Sequence, residues 1–239
     1  MVAAALSAGG PQAGEALLTL ALPKGRLAEE AAGALRAGGL AVPEGTGEQE
    51  LVRLLPGSAF GRDLRLLWVR PSDVPSYVRE GAADAGITGK DALVEEPQGV
   101  LERLDLGFGR CRMVVAVRRA EAGRWPELLE EAAAGLTVAT KYPRLARRHF
   151  LERHGLRPRV LELRGSVEVA ATVGMAAAVV DLVQTGATLR ASGLVAVEEV
   201  LPVSARWIVN PVSLRWKRPL LAELERRLGA RAAGEVAAR

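Results

Sequence analysis

An acidic residue and a short loop of small and hydroxyl side chains follow one of the most hydrophobic segments of the chain. Asp181 lies near the end of this predicted strand, and the loop after it consists of Gln184, Thr185, Gly186, Ala187 and Thr188. Glycine lets the backbone approach a ligand closely, and the amides of such a loop and of a following helix favour a phosphate. Asp181 is placed to accept hydrogen bonds from sugar hydroxyls. The pattern therefore predicts a ribose 5-phosphate site, although an ordinary strand–turn–helix capped by Thr188 fits it equally.

A second candidate anion site lies between the first predicted strand and the first predicted helix. Lys24, Gly25 and Arg26 place two cations beside a glycine at a helix start. Lysine follows predicted strands at positions 24, 90 and 141, although the chain has only four lysines against 28 arginines. A compact, strongly hydrated point charge differs from a guanidinium in what it binds, so this placement suggests a function. An ordinary loop with solvated charges is the alternative.

Two further sequence patterns are weaker indications of function. The segment 107–109 lacks the third glycine of a dinucleotide-binding loop and precedes a strand instead of following one. His149 and His154 fall on a predicted helix among arginines, and we interpret them as surface or partly packed residues. The single cysteine, Cys111, excludes an internal disulfide, and with only two histidines the composition argues against a structural zinc site.

The composition of the 239 residues is that of a folded globular protein, with 49% hydrophobic and 25% charged residues. The net charge of +4 is compatible with a polyanion-binding surface, or with arginines that pair locally in a protein from a GC-rich or heat-adapted organism. Aromatic residues make up only 4%, too few for the stacking platforms of a nucleic-acid binder. No segment predicts a membrane span or an export signal, so we expect a cytoplasmic protein.

Predicted strands and helices alternate, which indicates an α/β fold with mostly parallel sheets. The pattern restarts near residue 95 and suggests two lobes. We predict a flexible extension over residues 1–15, a first lobe of residues 16–95 and 193–239, and a second lobe of residues 96–192. Ligands of such folds bind where strands give way to loops.

Six segments occur in the order that they have in the ATP phosphoribosyltransferase family, and the resemblance runs from about residue 18 to 214. The segments cover residues 22–27, 73–78, 81–91, 139–143, 165–168 and 181–189. The resemblance implies two α/β lobes similar to type II periplasmic binding proteins, with the active site in the cleft between them. It implies attack of the adenine N1 of ATP on C1 of phosphoribosyl pyrophosphate (PRPP), with Mg²⁺ as cofactor, as the first step of histidine biosynthesis.

The resemblance also assigns site residues. PRPP binding falls to Asp181 and the loop after it (Gln184, Thr185, Gly186, Ala187 and Thr188), together with Glu168. Arg26 and Arg53 are the implied catalytic residues. Contacts to ATP or pyrophosphate fall to Lys24, Gly25, Arg70, Asp73, Gly89 and Lys90, and the metal ligands stay unknown. For Arg53, Arg70 and Glu168, a surface ion pair is the alternative.

The length is similar to the short form of the family, which lacks a C-terminal regulatory domain. That form implies a homodimer as core unit and a separate histidine-sensing subunit resembling histidyl-tRNA synthetase, in a hetero-octamer. We expect no nucleic acid and no membrane as partner. The alternatives are a type I phosphoribosyltransferase acting on a free base, and a bilobal solute-binding protein without enzymatic activity.

Overall fold

The computed structural model of the chain describes residues 17–45, 51–96, 99–131 and 135–237. The predicted extension, residues 1–15, lies outside these ranges. The strands, in chain order, are β1 Leu18–Pro23, β2 Val52–Ala59, β3 Arg62–Val69, β4 Ala85–Gly89, β5 Leu101–Asp105, β6 Cys111–Arg118, β7 Thr137–Thr140, β8 Arg159–Glu162, β9 Ala178–Val183, β10 Leu194–Val203 and β11 Ala205–Val209.

The helices alternate with these strands over much of the chain. They are α1 Ala28–Ala37, α2 Val74–Arg79, α3 Lys90–Glu95, α4 Trp125–Glu131, α5 Pro143–His154, α6 Val167–Thr172, α7 Ala187–Ala191, α8 Pro211–Trp216 and α9 Arg218–Ala237. Short 3₁₀ turns precede α1 and α4. Among the described residues, no helix is long and apolar enough to cross a membrane. The hydrophobic pattern did not predict α3, β5 or α8.

The chain divides into two compact units, each built on its own sheet. Unit 1 comprises Met1–Gly89, Gln98–Phe108 and Ala205–Arg239, and unit 2 comprises Lys90–Pro97 and Gly109–Ser204. The predicted lobes differ at their edges, since residues 90–95 and 193–204 belong to unit 2 and residues 98–108 to unit 1. The reason is pairing that sequence does not reveal: β10 pairs with β6, and β5 pairs with β11.

Both sheets are mixed. The strand order is β2-β3-β1-β4-β11-β5 in unit 1 and β10-β6-β9-β7-β8 in unit 2. The parallel pairs among the described strands are β1 with β3 and β4, and β7 with β8 and β9. The fold is of the α/β class, but parallel pairs do not predominate in its two sheets as expected. The reason is that β2 and β3 form a hairpin, and that β10 and β11 pair antiparallel with their neighbours.

Buried apolar side chains fill both units. Unit 1 buries every residue of β1 and β4, with Trp68 and Trp207 among its largest fully buried side chains. In unit 2, one cluster packs α5 against the sheet through Leu145, Ala146 and Phe150. A second cluster packs α6 and α7 against the other face. Each helix thereby holds its adjoining loop at a sheet edge.

A buried polar network anchors the C-terminal part of unit 1. Asp84 accepts hydrogen bonds from the Thr19 amide (2.8 Å) and from the Ser213 hydroxyl (2.7 Å). Lys217 donates to the same carboxylate at 2.7 Å. Asn210 caps α8 by accepting from the amides of Val212 and Ser213. These bonds explain why a helix forms where the hydrophobic pattern alone predicted none, because an asparagine cap satisfies the first amides of α8.

Candidate active site

A pocket of about 380 Å³ lies in unit 2, where β9 ends. Its walls are the end of β9, the following loop and the start of α6. All seven residues predicted to bind PRPP line it, namely Glu168, Asp181, Gln184, Thr185, Gly186, Ala187 and Thr188. The loop residues are contiguous and follow a strand of the sheet, so the structure places them together as the sequence pattern predicted. Glu168 joins them from α6.

Asp181 is one of the two acidic residues that line this pocket, and its side chain is 20% exposed. Lys141 Nζ lies 3.8 Å from Asp181 Oδ1. Burial raises the pKa of the Asp181 carboxyl above its ordinary value. The charge of Lys141 and the amide of Leu182 oppose this rise, whereas the nearby Glu168 carboxylate adds to it. The carboxylate therefore lacks part of the hydrogen bonding that its burial requires, and ligand hydroxyls could supply it.

The loop after β9 has a backbone that suits glycine. Gly186 occupies the N-cap position of α7 with φ of +74°, in the left-handed region that other residues rarely adopt. An added Cβ there would lie 2.9 Å from Arg190 Nη1. Arg190 donates to the Thr185 carbonyl at 3.1 Å, and the Ala187 amide donates to Thr185 Oγ1 at 3.4 Å. Gly186, and not Thr188, thus occupies the cap position.

Helix α3 holds the N-terminal end of α5 in place. Lys141 lies just before that end of the helix and lines the pocket. Glu95 accepts hydrogen bonds from the amides of Arg144 (2.9 Å) and Leu145 (3.0 Å), so it caps α5 with a carboxylate. Tyr142 donates to Asp91 at 3.0 Å. Burial, followed by the charge of Asp91, raises the pKa of Tyr142, which therefore stays a protonated donor. These contacts explain why α3 belongs to unit 2.

Unit 1 collects most of the predicted ATP- and pyrophosphate-binding residues at one edge of its sheet. Pro23 pairs with Val69, and Ala21 pairs with Gly86, so β1, β3 and β4 end at the same edge. The residues at or after these ends are Lys24, Gly25, Arg70, Asp73 and Gly89. Arg53 lies near the same edge, because β2 runs antiparallel to β3 and starts there.

The remaining predicted residues of this set differ in their surroundings. Arg26 is exposed in the 3₁₀ turn before α1. Lys90 begins α3 and belongs to unit 2, where its amide donates to the Ser204 carbonyl at 3.0 Å. Asp73 occupies the N-cap position of α2, as predicted, but its side chain accepts no hydrogen bond from the first amides of that helix. Asp73 Oδ1 instead accepts a hydrogen bond from the Ser72 hydroxyl.

Three residues that the sequence did not assign to the site lie at the pocket. Lys141 and Ser166 line it, and Arg190 braces its loop. A signal existed for Lys141, since it is one of the lysines that follow a strand. No signal existed for Arg190, because its role depends on the turn that brings its guanidinium back to Thr185.

The arrangement in unit 2 fits a phosphorylated sugar. A glycine-containing loop with two threonine hydroxyls can bind a phosphate, and Asp181 can accept bonds from hydroxyls on the same ligand. Cations at or near this edge of the unit 1 sheet, among them Lys24, Arg53 and Arg70, suit a polyanion. Taken together, the two sets of side chains are those expected for phosphorylated substrates.

Comparisons with known proteins agree with this chemistry. The family model described as HisG, ATP phosphoribosyltransferase, matches residues 70–230. A protein of Bacillus licheniformis named ATP phosphoribosyltransferase is 42% identical over 220 residues, which cover 92% of this chain and 98% of that protein. One of the same name from Bordetella pertussis is 46% identical over 215 residues, covering 87% and 92%.

Solved structures give the same result. The ATP phosphoribosyl transferase (HisG:HisZ) complex from Thermotoga maritima matches with a TM-score of 0.73 and 31% identity, covering 91% of this chain and 98% of that one. The BvgS VFT2 domain of Bordetella pertussis matches with a TM-score of 0.52 at 15% identity, covering 91% and 92%, which is a likeness of fold alone. The predicted α/β fold and the predicted family are confirmed, and the chain belongs to the ATP phosphoribosyltransferase family.

Proposed function

We propose that this chain transfers the 5-phosphoribosyl group of PRPP to N1 of the adenine of ATP, releasing pyrophosphate and forming N1-(5-phosphoribosyl)-ATP. This is the first step of histidine biosynthesis. Membership of the family supports the activity. The observation that carries it is the pocket at the end of β9, in which an acidic residue and a glycine-containing loop lie together.

In this proposal the pocket binds PRPP. Thr185, Gly186, Ala187 and Thr188 bind the 5-phosphate through hydroxyls and backbone amides, and Gln184 borders the loop. Asp181 accepts hydrogen bonds from the ribose hydroxyls, which supply the donors that the buried carboxylate lacks. Glu168 orients the sugar from the start of α6. The charge of Lys141 opposes the rise in the pKa of Asp181 that burial causes, and it favours the anionic substrate.

The reaction needs no general base at the nucleophile. Adenine N1 carries a free lone pair at neutral pH, so no proton has to leave before it attacks C1. Two polyanions have to be held together with N1 behind C1, and the leaving pyrophosphate gains charge as its bond breaks. Cationic side chains are the groups that this chemistry requires.

The basic residues of unit 1 supply those charges. We assign Lys24, Gly25, Arg70, Asp73 and Gly89 of unit 1, with Lys90 of unit 2, to ATP and pyrophosphate. Arg26 and Arg53 are the proposed catalytic residues, which stabilise charge on the leaving group. The edge that β1, β3 and β4 share supports the assignment, because it brings residues from separate parts of the sequence to one place.

A divalent cation, Mg²⁺, belongs to the proposed reaction. Mg²⁺ prefers oxygen ligands, and the carboxylates among the residues that line the pocket are Glu168 and Asp181. They are suited to hold the ion together with substrate oxygens. When bound, the ion neutralises charge on the leaving pyrophosphate. Asp181 would then contact both the ion and the ribose hydroxyls, and the charge of Lys141 would oppose the rise in its pKa that burial causes.

The proposed assembly includes a second kind of chain. The Thermotoga maritima structure is of a HisG:HisZ complex. By likeness to it, we propose a regulatory partner subunit of the HisZ kind for this chain. From the resemblance to the short form of the family we further propose a homodimer of this chain as core unit, and a partner that senses histidine and resembles histidyl-tRNA synthetase. Both substrates are metabolites of the cytoplasm, and we place the enzyme there.

An absorbance assay for the adduct tests the proposal. The chain is incubated with PRPP, Mg²⁺ and either ATP or free adenine, with and without the regulatory subunit. We expect product from ATP and none from adenine. Product from adenine alone would instead indicate a phosphoribosyltransferase that acts on a free base.

In the same assay, Arg26→Ala should lower kcat/KM by about one to three orders of magnitude, because it removes charge stabilisation of the leaving group. A loss below about threefold would remove Arg26 from the mechanism.

A further inference from the structure

Both histidines of the chain meet one carboxylate in unit 2. His149 Nε2 lies 2.7 Å from Glu198 Oε2, and His154 Nε2 lies 2.9 Å from Oε1 and 3.0 Å from Oε2 of the same group. The side chain of His149 is 8% exposed, that of His154 is 18% exposed and that of Glu198 is 10% exposed. This cluster plays no part in the proposed reaction. We propose that His149, His154 and Glu198 form a binding site for a divalent metal ion of the zinc type.

The donor set is the first argument. Two imidazole nitrogens and one carboxylate are a known ligand combination for Zn²⁺ and leave one position for water. The three ligand atoms lie within 4.8 Å of one another. Tetrahedral bonds of about 2.0–2.1 Å separate ligands by roughly 3.4 Å, so small rotations of these side chains would suffice. The same nitrogen, Nε2, of each histidine points to the shared centre.

The backbone of β10 provides a second, independent argument. The pairing of β10 with β6 shifts register between Ala196 and Glu198 and again between Glu199 and Leu201. Such irregularities redirect side chains and occur often beside functional sites. Glu198 pairs with Val115, which belongs to the core on the α5 side of the sheet. The strand therefore directs a carboxylate into an apolar core, a placement that is unfavourable without specific partners.

The surroundings supply the outer groups that a metal site uses. Trp125 Nε1 donates to Glu198 Oε1 at 2.7 Å and fixes the orientation of the carboxylate. Phe150 is fully buried and packs edge-on against His149 and Trp125, which makes an apolar border. The histidines lie in the second half of α5, and His154 is its last residue. The negative end of the helix dipole favours a cation there.

One group competes for the carboxylate. Arg153 Nε lies 3.7 Å from Glu198 Oε2, and its side chain is 66% exposed. An exposed guanidinium can withdraw into water at little cost, so it does not block an ion. With Arg153 removed, the ion should bind at least as tightly, whereas a purely hydrogen-bonded cluster would show no response to metal in either form.

The site lies at the other end of α5 from the sugar pocket. Lys141 and Tyr142 precede the helix, whose 12 residues span about 18 Å. A metal held by α5 and β10, with α4 attached through Trp125, would cross-link three elements of unit 2. The expected consequence is greater stability of that unit upon metal binding.

Calorimetry on the metal-free full chain tests this proposal. After treatment with a chelator, the protein is titrated with Zn²⁺ in the absence of Mg²⁺, ATP and PRPP. We expect one ion per chain and a rise in Tm on binding. Glu198→Gln and His154→Gln should each weaken binding by at least about tenfold. The matched control is Glu199→Gln, which changes the neighbouring exposed carboxylate on β10 and should leave binding as it is.

Two further measurements identify the ligand atoms. Cys111→Ser should retain the site, which rules out the only thiol as the ligand. Nitrogen NMR of the two imidazoles in the wild-type chain should show both Nε2 resonances shifting with one equivalent of Zn²⁺. That readout stands even where a variant unfolds. Absence of binding, binding that survives both ligand substitutions, or unmoved imidazole resonances would overturn the proposal. The cluster would then be a hydrogen-bonded anchor only.

Discussion

Asp181 and Glu198 are two largely buried carboxylates on strands of one sheet, and their pKa values shift in opposite directions. Burial raises the pKa of Asp181, whose nearest cation is Lys141 at 3.8 Å. Burial acts the same way on Glu198, but hydrogen bonds from Trp125 and both histidines outweigh it and hold the pKa below its ordinary value.

The difference lies in the donors that each carboxylate receives. Glu198 accepts three hydrogen bonds from ring nitrogens at 2.7–3.0 Å. Asp181 faces a pocket in which a ligand can supply the missing donors. A buried acid with few donors is therefore a candidate for hydrogen bonds to a ligand. In the metal-free chain, Glu198 receives its donors from the protein, and these hydrogen bonds stabilise the fold.

The largest expected effect is on substrate binding. Asp181→Asn should raise KM for PRPP by about 10- to 100-fold, because hydrogen bonds to a charged group contribute about 1.5–3 kcal/mol. Steady-state kinetics at saturating ATP measures this change, and kcat should change less. An unaltered KM would take Asp181 out of the site and remove the contrast with Glu198.

The next effect is on stability. Glu198→Gln should lower the free energy of unfolding by about 1–3 kcal/mol, because buried donors lose a charged acceptor. Urea unfolding of metal-free protein measures it. Asp181→Asn should leave that free energy equal or raise it, since its carboxylate is poorly satisfied. Equal losses in both variants would contradict the proposed difference between the two acids.

A glycine substitution tests the loop beside Asp181. Gly186→Ala should cost about 1–2 kcal/mol of stability, because its φ of +74° disfavours a side chain, and it should raise KM for PRPP. Gly193→Ala is the control, with φ of +69° and no atom within 4 Å of an added Cβ. Equal kinetics in the two variants would separate the loop from PRPP binding.

The contributions of Glu198 and Asp181 to the free energy of unfolding should change with pH in opposite directions. The stability that Glu198 contributes is present above its unfolded pKa and disappears as pH falls through its lowered folded pKa. The contribution of Asp181 is present at acid pH and is lost as pH rises through its raised folded pKa. Urea unfolding at about pH 4 and pH 7 should thus show the Glu198→Gln penalty shrinking in acid, and Asp181→Asn gaining relative to wild type at neutral pH. Parallel curves would refute this.

The smallest expected change concerns Lys141. Lys141→Gln removes the charge that lowers the pKa of Asp181, so the acid limb of the pH profile of kcat/KM for PRPP should move to higher pH. Comparison with wild type cancels the titration of the substrate phosphate. Arg147→Gln, an exposed residue on α5, should leave the limb in place. A limb unmoved by Lys141→Gln would show that Lys141 does not act on Asp181.

Sequence determined the parts of this protein that depend on neighbouring residues. The strand, acid and loop of the sugar pocket occupy one short segment, and the hydrophobic pattern predicted most strands and helices within a few residues. The family could be recognised from the sequence for the same reason, because each of its motifs is a contiguous segment of the chain. Glu168 was the distant member that the resemblance supplied.

Only the tertiary structure decided which distant side chains meet. Asp91 reaches Tyr142 across 51 residues, and Glu198 reaches His149 across 49. Composition argued against a structural zinc site, and that prediction stays untested, because composition counts histidines without placing them. The fold brings both histidines to the Glu198 carboxylate. Strand pairing and bulges are set by long-range contacts that no local pattern encodes, and these contacts decided the mixed sheets, the edges of the units and the histidine cluster.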